Sequence, residues 1–319
     1  MKTTKRKIGI IGFGNWVIEA YLPTLKKLDN SIIKSVACRS TLTMKKAELL
    51  VPKECFITND YKLLLQNEEI DLVILSVQDE YHGEIMKEII KSGKDCIFEM
   101  PISNNYESSK KIIERMNKNN KYFPNLELSY LPIIEYLNKL IINKEYGNLL
   151  NIDLNLDASW GPVDGKIKSV FSISPWYIDT LNKITGKIPK RVLTIGEKRP
   201  QNYSQSRAKI ILDYKDHWGQ WTFNLESKKE LSVEVTLLFS DAEITANLFT
   251  SSIEIRSKKQ KEKKINVDFK KPVIGWPGMI EFMEFVFSTK DFSNANTNTL
   301  LKISKSLEDS LYSNDWIEV

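Results

Sequence analysis

The 319-residue chain has few of the residues that build disulfide frameworks and metal centres. Its three cysteines, Cys38, Cys55 and Cys96, lie in or beside apolar runs without a Cys-x-x-Cys spacing, which predicts buried free thiols. Two histidines, His82 and His217, are too few for a histidine-rich metal centre, so we expect no metal site. We assign His217, which lies in a polar turn, no function.

Long apolar runs are also absent. No stretch approaches the roughly 20 apolar residues that a membrane helix needs. The basic segment Met1–Lys7 leads directly into a strand-like segment, without the apolar region of a signal peptide. These absences predict a cytoplasmic protein without a membrane partner.

The overall composition is that of an ordinary globular protein. Hydrophobic residues make up 42% and charged residues 27%, which excludes a disordered chain. The length is about twice that of a single domain and predicts two domains. The net charge of +5 comes from one run, Arg256–Lys264, with six positive and one negative side chain. A solvated hairpin or loop explains that run, and we expect no nucleic-acid partner.

The first 125 residues alternate short apolar runs with helix-length segments. This alternation is typical of a parallel sheet with crossover helices, and we predict an α/β dinucleotide-binding Rossmann domain over residues 1–125. The predicted strands are Lys7–Gly12, Ile33–Cys38, Cys55–Thr58, Asp71–Ser76, Asp95–Glu99 and Tyr122–Asn125. The predicted helices are Asn15–Lys27, Leu42–Leu50, Tyr61–Leu65, His82–Ser92 and Tyr106–Asn119.

After residue 126 the pattern changes to successive strand-length segments. We predict an α+β domain over residues 126–319, with an open, mostly antiparallel sheet that binds substrate and forms a homodimer or homotetramer. The predicted strands are Leu149–Leu156, Arg191–Gly196, Ala208–Tyr214, Gly219–Leu225, Ser232–Phe239, Glu243–Leu248 and Ser252–Arg256. The predicted helices are Leu131–Ile142, Trp176–Ile184, Met279–Ser288 and Asn298–Tyr312.

The segment Gly12–Val17 (GFGNWV) follows the first strand and opens the first helix. Glycines in this context let the backbone turn sharply and approach a pyrophosphate at the helix N-terminus, which predicts a bound dinucleotide. Val17 replaces the usual third Gly or Ala, so we expect the helix slightly further from the strand. The second strand ends in Cys38-Arg39-Ser40, where an acidic residue would bind a free ribose 2′-hydroxyl. An Arg with hydroxyl neighbours suits a 2′-phosphate instead and predicts NADP(H).

A Glu-x-Pro signature, Glu99-Met100-Pro101, ends the fifth strand. Together with the glycine motif, His82, the Tyr130-Leu131-Pro132 segment and Trp176–Asp179, it resembles the Gfo/Idh/MocA oxidoreductase family over the first 190 residues. The resemblance implies an NAD(P)-dependent enzyme acting on sugars, cyclitols or related carbonyls, with a C-terminal domain that often forms oligomers. The expected cofactor-binding residues are Gly12, Gly14, Asn15, Trp16, Cys38, Arg39, Ser40, Ser76, Val77, Gln78, His82, Glu99 and Met100.

The catalytic positions of the family's sugar enzymes are changed in this chain. Met100 replaces the Lys of those enzymes, and Trp176 replaces their His. Ser172 replaces the acidic residue four positions before that His, and Ser129 replaces an Arg. Because the groups that move a proton to and from a sugar hydroxyl are missing, the sugar-dehydrogenase mechanism does not carry over.

Three functions remain open. In the first, the chain is a reductase of an activated C=N or C=C bond and takes the proton from Tyr or water. Members of the family that resemble biliverdin reductase, and imine-reducing relatives, are examples of such enzymes. Alternatively, it is a cofactor-binding regulator without chemistry, or a sugar or cyclitol dehydrogenase with relocated catalytic groups. We expect the first, an NADP-dependent reductase in a biosynthetic pathway.

Several aromatic and acidic residues are candidates for the active site. Tyr130 or Tyr177 could donate a proton, and Glu127 or Asp179 could orient it, although Asp179 could equally bond a backbone amide. Trp160, which precedes the loop Gly161-Pro162, could line a substrate pocket. The aromatic plane of Trp176 suits a flat conjugated substrate. The expected substrate-binding residues are Trp160, Trp176, Met100 and Ser172.

Overall fold

The computed structural model describes residues 5–160, 169–198, 205–257, 260–267 and 275–319. The chain divides into two compact units. The first consists of Met1–Asn125 and Val273–Thr299, and the second of Leu126–Pro272 and Leu300–Val319. The predicted loop after Trp160 and part of the basic run lie outside the described residues.

The first unit contains a six-stranded sheet in the order β3-β2-β1-β4-β5-β6, with every neighbouring pair parallel. The strands are β1 (Arg6–Ile11), β2 (Ser31–Ala37), β3 (Phe56–Thr58), β4 (Leu72–Leu75), β5 (Asp95–Phe98) and β6 (Tyr122–Pro124). All four residues of β4 are fully buried, as expected when helices cover both faces of a parallel sheet. The predicted Rossmann fold is confirmed.

Helices connect these strands. A π-type turn, Val17–Tyr21, continues into α1 (Leu22–Lys27), and the following helices are α2 (Thr41–Leu50), α3 (Tyr61–Gln66), α4 (Asp79–Ser92) and α5 (Tyr106–Ile113). The last of these was predicted to reach Asn119. It ends earlier because Asn117 Oδ1 accepts hydrogen bonds from the amides of Asn119 and Asn120, a local turn that competes with the helix.

The second unit is built on a nine-stranded sheet in the order β14-β13-β12-β11-β7-β10-β9-β8-β15. Its neighbours are antiparallel except β7 and β10, which run parallel. The strands are β7 (Leu149–Asp157), β8 (Arg191–Gly196), β9 (Arg207–Asp213), β10 (Trp218–Asn224), β11 (Ser232–Phe239), β12 (Ala242–Asn247), β13 (Ser252–Ser257), β14 (Gln260–Asn266) and β15 (Ile317–Glu318). The predicted α+β domain with an open, mostly antiparallel sheet is confirmed.

A short 3₁₀ helix (Glu127–Tyr130), α6 (Pro132–Ile142) and α7 (Val170–Thr185) accompany this sheet. Helix α7 was predicted to begin at Trp176. It begins six residues earlier, where the Ser169 side chain caps the amide of Ser172. Pro175 has no amide proton for the Phe171 carbonyl, and the Ser174 hydroxyl donates to Ser304 Oγ at 2.7 Å.

The remaining helices are α8 (Met279–Ser288) and α9 (Ala295–Ser313). Both were predicted to lie in the second domain, but α8 and the start of α9 belong to the first unit. Phe123 of β6 packs against Phe285 and Phe292, and Lys121 Nζ donates to the Thr289 carbonyl. These contacts join residues more than 150 positions apart, which hydrophobic periodicity cannot reveal.

The basic run Arg256–Lys264 contributes to β13 and to β14, a strand that the sequence analysis did not assign. Arg256 pairs with Glu254 at 3.1 Å and with Glu262 at 3.4 Å, and Lys264 pairs with Glu254 at 2.6 Å. Neighbouring acidic side chains therefore balance part of the positive charge. Within the described ranges, no helix has the length and apolar character needed to cross a membrane.

Candidate functional site

The loops at one edge of the parallel sheet carry the predicted cofactor residues. Gly12 follows β1, Cys38 follows β2, Ser76 follows β4 and Glu99 follows β5. Because these strands are parallel, the four positions share the carboxyl edge, where open α/β sheets bind ligands. The strand order reverses between β1 and β4, which places the expected crevice beside Gly12 and Ser76.

The two motif glycines have different environments. Gly12 has a φ of +92°, and a Cβ there would lie 1.9 Å from the Ser76 carbonyl oxygen. A Cβ on Gly14, by contrast, would meet nothing within 4 Å. Gly12 therefore makes the sharp turn against β4, and Gly14 borders open space at the start of the helix, where a pyrophosphate fits. Asn15 beside it is exposed, and Val17 is buried in the π-type turn.

A cation stands in the loop after β2, at the position predicted to bind the adenosine ribose. The Arg39 guanidinium lies 4.9 Å from the centre of the Tyr81 ring, a cation–π contact between the β2 loop and α4. Ser40 caps α2 by accepting from the amide of Thr43 at 3.2 Å. Cys38 is buried, and burial raises the pKa of its thiol. This loop offers a guanidinium and a hydroxyl, a donor set that suits a phosphate.

His82 holds two of the cofactor loops together. Its Nδ1 lies 2.9 Å from the Pro101 carbonyl oxygen, and its Nε2 lies 2.9 Å from that of Val77. The ring is almost completely buried, as the expected packing role requires. The loop of Ser76, Val77 and Gln78 is thereby tied to the segment that follows Glu99 and Met100.

Glu99 is the centre of a hydrogen-bond network at the end of β5. Its Oε1 accepts from Tyr21 Oη at 2.6 Å, from Trp16 Nε1 at 2.9 Å and from Asn125 Nδ2 at 3.0 Å. Burial raises the pKa of Glu99 to about 7, although the three hydrogen bonds lower it. The Trp16 ring also meets Trp276 edge to face, with ring centres 5.2 Å apart.

Met100, next to Glu99, is buried with 3% of its surface exposed. A thioether neither donates a proton nor polarises a carbonyl. The position after Glu99 is therefore filled by a buried apolar side chain.

The second unit brings the candidate acids and tyrosines together. Its 3₁₀ helix packs on α7, and Ser129 Oγ lies 3.3 Å from Thr180 Oγ1. Glu127 and Tyr177 come close enough that the carboxylate adds to the effect of burial in raising the pKa of Tyr177. Tyr177 is 4% exposed, and its ring stacks on that of Trp221 with the ring centres 5.2 Å apart.

Lys183 completes a cluster with Tyr130 and Asp179 that the sequence analysis did not find. Its Nζ lies 3.6 Å from Asp179 Oδ2 and 3.7 Å from the centre of the Tyr130 ring. Burial lowers the pKa of Lys183, and Asp179 opposes that effect. Burial also raises the pKa of Tyr130, with Asp179 contributing. The i,i+4 spacing of Asp179 and Lys183 on a helix was a signal for this pair.

The predicted substrate residues of the second unit line one side of α7 or follow β7. Ser172, Trp176, Asp179 and Lys183 recur at helical spacing, and Trp176 is half-buried. The Ser172 amide donates a hydrogen bond to Oγ of the capping residue Ser169 at 3.3 Å. Trp160 follows β7 and is also half-buried.

Other residues of the site could not be found from motifs. Tyr21, Asn125 and Trp276 act through contacts with Glu99 and Trp16 that depend on the fold. Tyr81 directly precedes His82 in the sequence, but only its contact with Arg39 distinguishes it. In the described part of the chain, no cluster of three or more His, Cys, Asp or Glu side chains is arranged to hold a metal ion.

Comparison with known proteins agrees with this architecture. Residues 6–125 match the sequence model of the Gfo/Idh/MocA oxidoreductase family, described by its NAD-binding Rossmann fold. An uncharacterized oxidoreductase of Schizosaccharomyces pombe is 31% identical over 111 residues, which cover 34% of this chain and 30% of that protein. The chain thus matches less than a third of that relative's length.

Solved structures resemble the whole chain. A protein of Desulfitobacterium hafniense, assigned as an NADPH-dependent oxidoreductase, superposes with a TM-score of 0.80 at 15% identity, covering 99% of this chain and 98% of that one. Levoglucosan dehydrogenase in complex with NADH and levoglucosan has a TM-score of 0.82 at 14% identity, covering 99% of this chain and 100% of that one. At these identities the likeness shows the fold.

Proposed function

We propose that this chain, whose residues 6–125 match the Gfo/Idh/MocA family model, is an NADP(H)-dependent reductase of an activated C=N or C=C bond. The substrate is imine-like or conjugated, and the reaction serves a biosynthetic pathway. The bound nicotinamide supplies the hydride directly. No Lys-Asp-His relay takes part.

Met100 is the observation that carries this proposal. A sugar dehydrogenase must remove a proton from a hydroxyl group as hydride leaves, and a buried thioether cannot do so. An imine or conjugated acceptor needs only one proton delivered during reduction. The half-buried Trp176, in place of the family's His, offers an aromatic plane to such a flat acceptor.

The preference for NADP(H) rests on the loop after β2. Arg39 offers a guanidinium, and Ser40 a hydroxyl group, where an NAD-binding protein has a carboxylate. The contact of Arg39 with Tyr81 restricts the guanidinium before any ligand binds, which favours a charge-assisted bond to a 2′-phosphate. Gly14 and the helix start hold the pyrophosphate.

The experiment is a turnover assay of the purified chain with NADPH. We expect NADPH oxidation with cyclic imines, enones or bilins, and none with sugars. Met100→Lys should not create polyol oxidation with NADP⁺, because Ser129, Ser172 and Trp176 leave the new Lys without relay partners. Polyol oxidation by Met100→Lys would contradict the proposal, and so would tight NADPH binding without turnover of any acceptor.

The Lys183 cluster favours a second candidate, a sugar or cyclitol dehydrogenase with a relocated relay. Lys183 contacts both Asp179 and Tyr130, which together provide an ammonium, a carboxylate and a phenol. If this candidate is correct, the wild type should reduce NADP⁺ with a polyol. The rate of that reaction should fall by a factor of about 10² or more in Lys183→Met. No polyol activity in the wild type excludes it.

A further inference from the structure

We propose that Glu99 is the proton donor of the reduction, so that the carboxyl group beside Met100 replaces the missing Lys. This inference rests on the proposed function. It assigns a catalytic role to a residue that the sequence analysis assigned only to cofactor binding.

The position of Glu99 suits this role. It directly follows β5, and its amide donates to the Leu75 carbonyl at 3.3 Å, which continues the ladder to β4. Strand β4 borders the point at which the strand order reverses. Glu99 therefore lies one strand away from the crevice in which doubly wound sheets hold the reactive end of a dinucleotide.

The three hydrogen bonds to Glu99 fix one oxygen and leave the other for a ligand. The donors Tyr21, Trp16 and Asn125 all bond Oε1. Among the residues that the structure describes, no hydrogen bond to Oε2 accompanies them. A carboxyl group held in this way can carry its proton on Oε2 in one orientation, which is the preorganisation that proton transfer requires.

The surroundings raise the pKa of the carboxyl group, so that a large fraction of it is protonated near neutral pH. Burial raises the pKa of Glu99 to about 7, and Asp79 at the start of α4 acts in the same direction. The side chains that face Glu99 are Tyr21 from the first helix, Trp16 from the glycine loop, Asn125 after β6 and Asp79. None of them carries a positive charge that would hold Glu99 ionised. A general acid with a pKa near the working pH is the most effective donor.

The proposed step balances in protons and electrons. The imine carbon receives a hydride from the reduced nicotinamide, and the C=N π electrons form a new N–H bond with the proton of Glu99. The products are the amine, the oxidised cofactor and the Glu99 carboxylate. A proton from water then restores the carboxyl group.

The first test needs no substrate. The protein is labelled with ¹³C at the Glu carboxyl carbons and titrated by NMR without added cofactor. We expect one carboxyl resonance with a midpoint near pH 7 that Glu99→Gln removes and Glu308→Gln, a half-buried Glu of α9, leaves in place. Tyr21→Phe removes a hydrogen bond that lowers the pKa, so the midpoint should rise. A Glu99 that is already ionised throughout the range near pH 5 to 8 would overturn the inference.

The second test uses 3,4-dihydroisoquinoline and 2-methyl-1-pyrroline as acceptors with saturating NADPH. We expect kcat to fall above the NMR midpoint, Glu99→Gln to lose about 10²- to 10⁴-fold in kcat and its pH inflection, and Tyr21→Phe to shift the inflection upward. Reduction by Glu99→Gln at the wild-type rate overturns the donor role but leaves the proposed function standing. If the wild type oxidises no NADPH with these or any other acceptor, the proposed function fails and the donor role fails with it.

Discussion

At the scale of single residues, Arg39, Glu99 and Met100 support the proposed chemistry. Arg39 follows β2, and its guanidinium lies 4.9 Å from the centre of the Tyr81 ring, a contact between the β2 loop and α4. Glu99 is recognisable from Glu-x-Pro, but its raised pKa comes from burial that no motif encodes. Met100, by contrast, is informative from its residue type alone.

The Arg39–Tyr81 pair predicts cofactor preference. We expect NADPH to bind at least tenfold more tightly than NADH, which corresponds to about 1.4 kcal/mol for a charge-assisted phosphate contact. Arg39→Ala should remove the preference. Tyr81→Leu should weaken NADPH binding two- to fivefold, and Tyr81→Phe, which keeps the ring, should not. Fluorescence titration with both cofactors measures this, and equal affinities in the wild type would refute the NADP(H) assignment.

The raised pKa of Glu99 also predicts how stability depends on pH. Because the folded pKa lies above the unfolded value of 4.5, the folded protein binds more protons between pH 4.5 and about 7. The contribution of Glu99 to the free energy of unfolding is complete below pH 4.5 and is lost as the pH rises through 7, by about 1.4 kcal/mol per pKa unit. Urea unfolding at several pH values should show this loss in the wild type and not in Glu99→Gln. Parallel curves for the two proteins would contradict it.

At the scale of elements, the strand-turn-helix at the start of the chain was predictable because local sequence determines it. Apolar β1, two glycines and a helix start follow one another without a gap. Helix α7 was only half predictable, because it begins at the Ser169 cap, ahead of the boundary that Pro175 suggests. The Lys183 cluster depends on packing between the 3₁₀ helix and α7, which lies beyond local pattern.

The glycine loop yields a matched pair of variants. Gly12→Ala should destabilise the fold by more than about 2 kcal/mol, because the new Cβ meets the Ser76 carbonyl and the φ of +92° is strained for alanine. Gly14→Ala meets nothing within 4 Å, so it should fold normally but bind NADPH at least tenfold more weakly. Thermal unfolding and cofactor titration separate the two effects. Normal stability of Gly12→Ala would contradict the turn geometry.

At the scale of the whole molecule, the order of elements predicts both sheets, while the assignment of α8 to the first unit needs the structure. The outer face of the second sheet also differs from a simple apolar surface. On β7 it carries Asn151, Asp153, Asn155 and Asp157, beside Gln220 and Thr222 on β10. Any partner on this face must therefore satisfy polar groups as well as exclude water.

We retain the proposal of a homodimer or homotetramer through this face, with well above about 1,000 Å² buried in total. The outward Thr236 and the 40% exposed Leu238 lie on β11 next to β7. Replacing both Thr236 and Leu238 by Arg would place like charges opposite each other across a symmetric interface between two subunits. This variant should therefore be monomeric. Sedimentation velocity at micromolar concentration measures the state. A monomeric wild type would end the proposal.

The transfer of a label from cofactor to product tests the central claim most directly, namely that this chain reduces an acceptor by direct hydride transfer without a catalytic Lys. The wild-type protein is incubated with NADPH stereospecifically deuterated at C4 and with each cyclic imine, enone and bilin, and the products are analysed by mass spectrometry and NMR. The account predicts one deuterium on the former C=N or C=C carbon of at least one product, from one face of the nicotinamide. Unlabelled products, or labelled NADPH recovered unchanged with every acceptor, would contradict it.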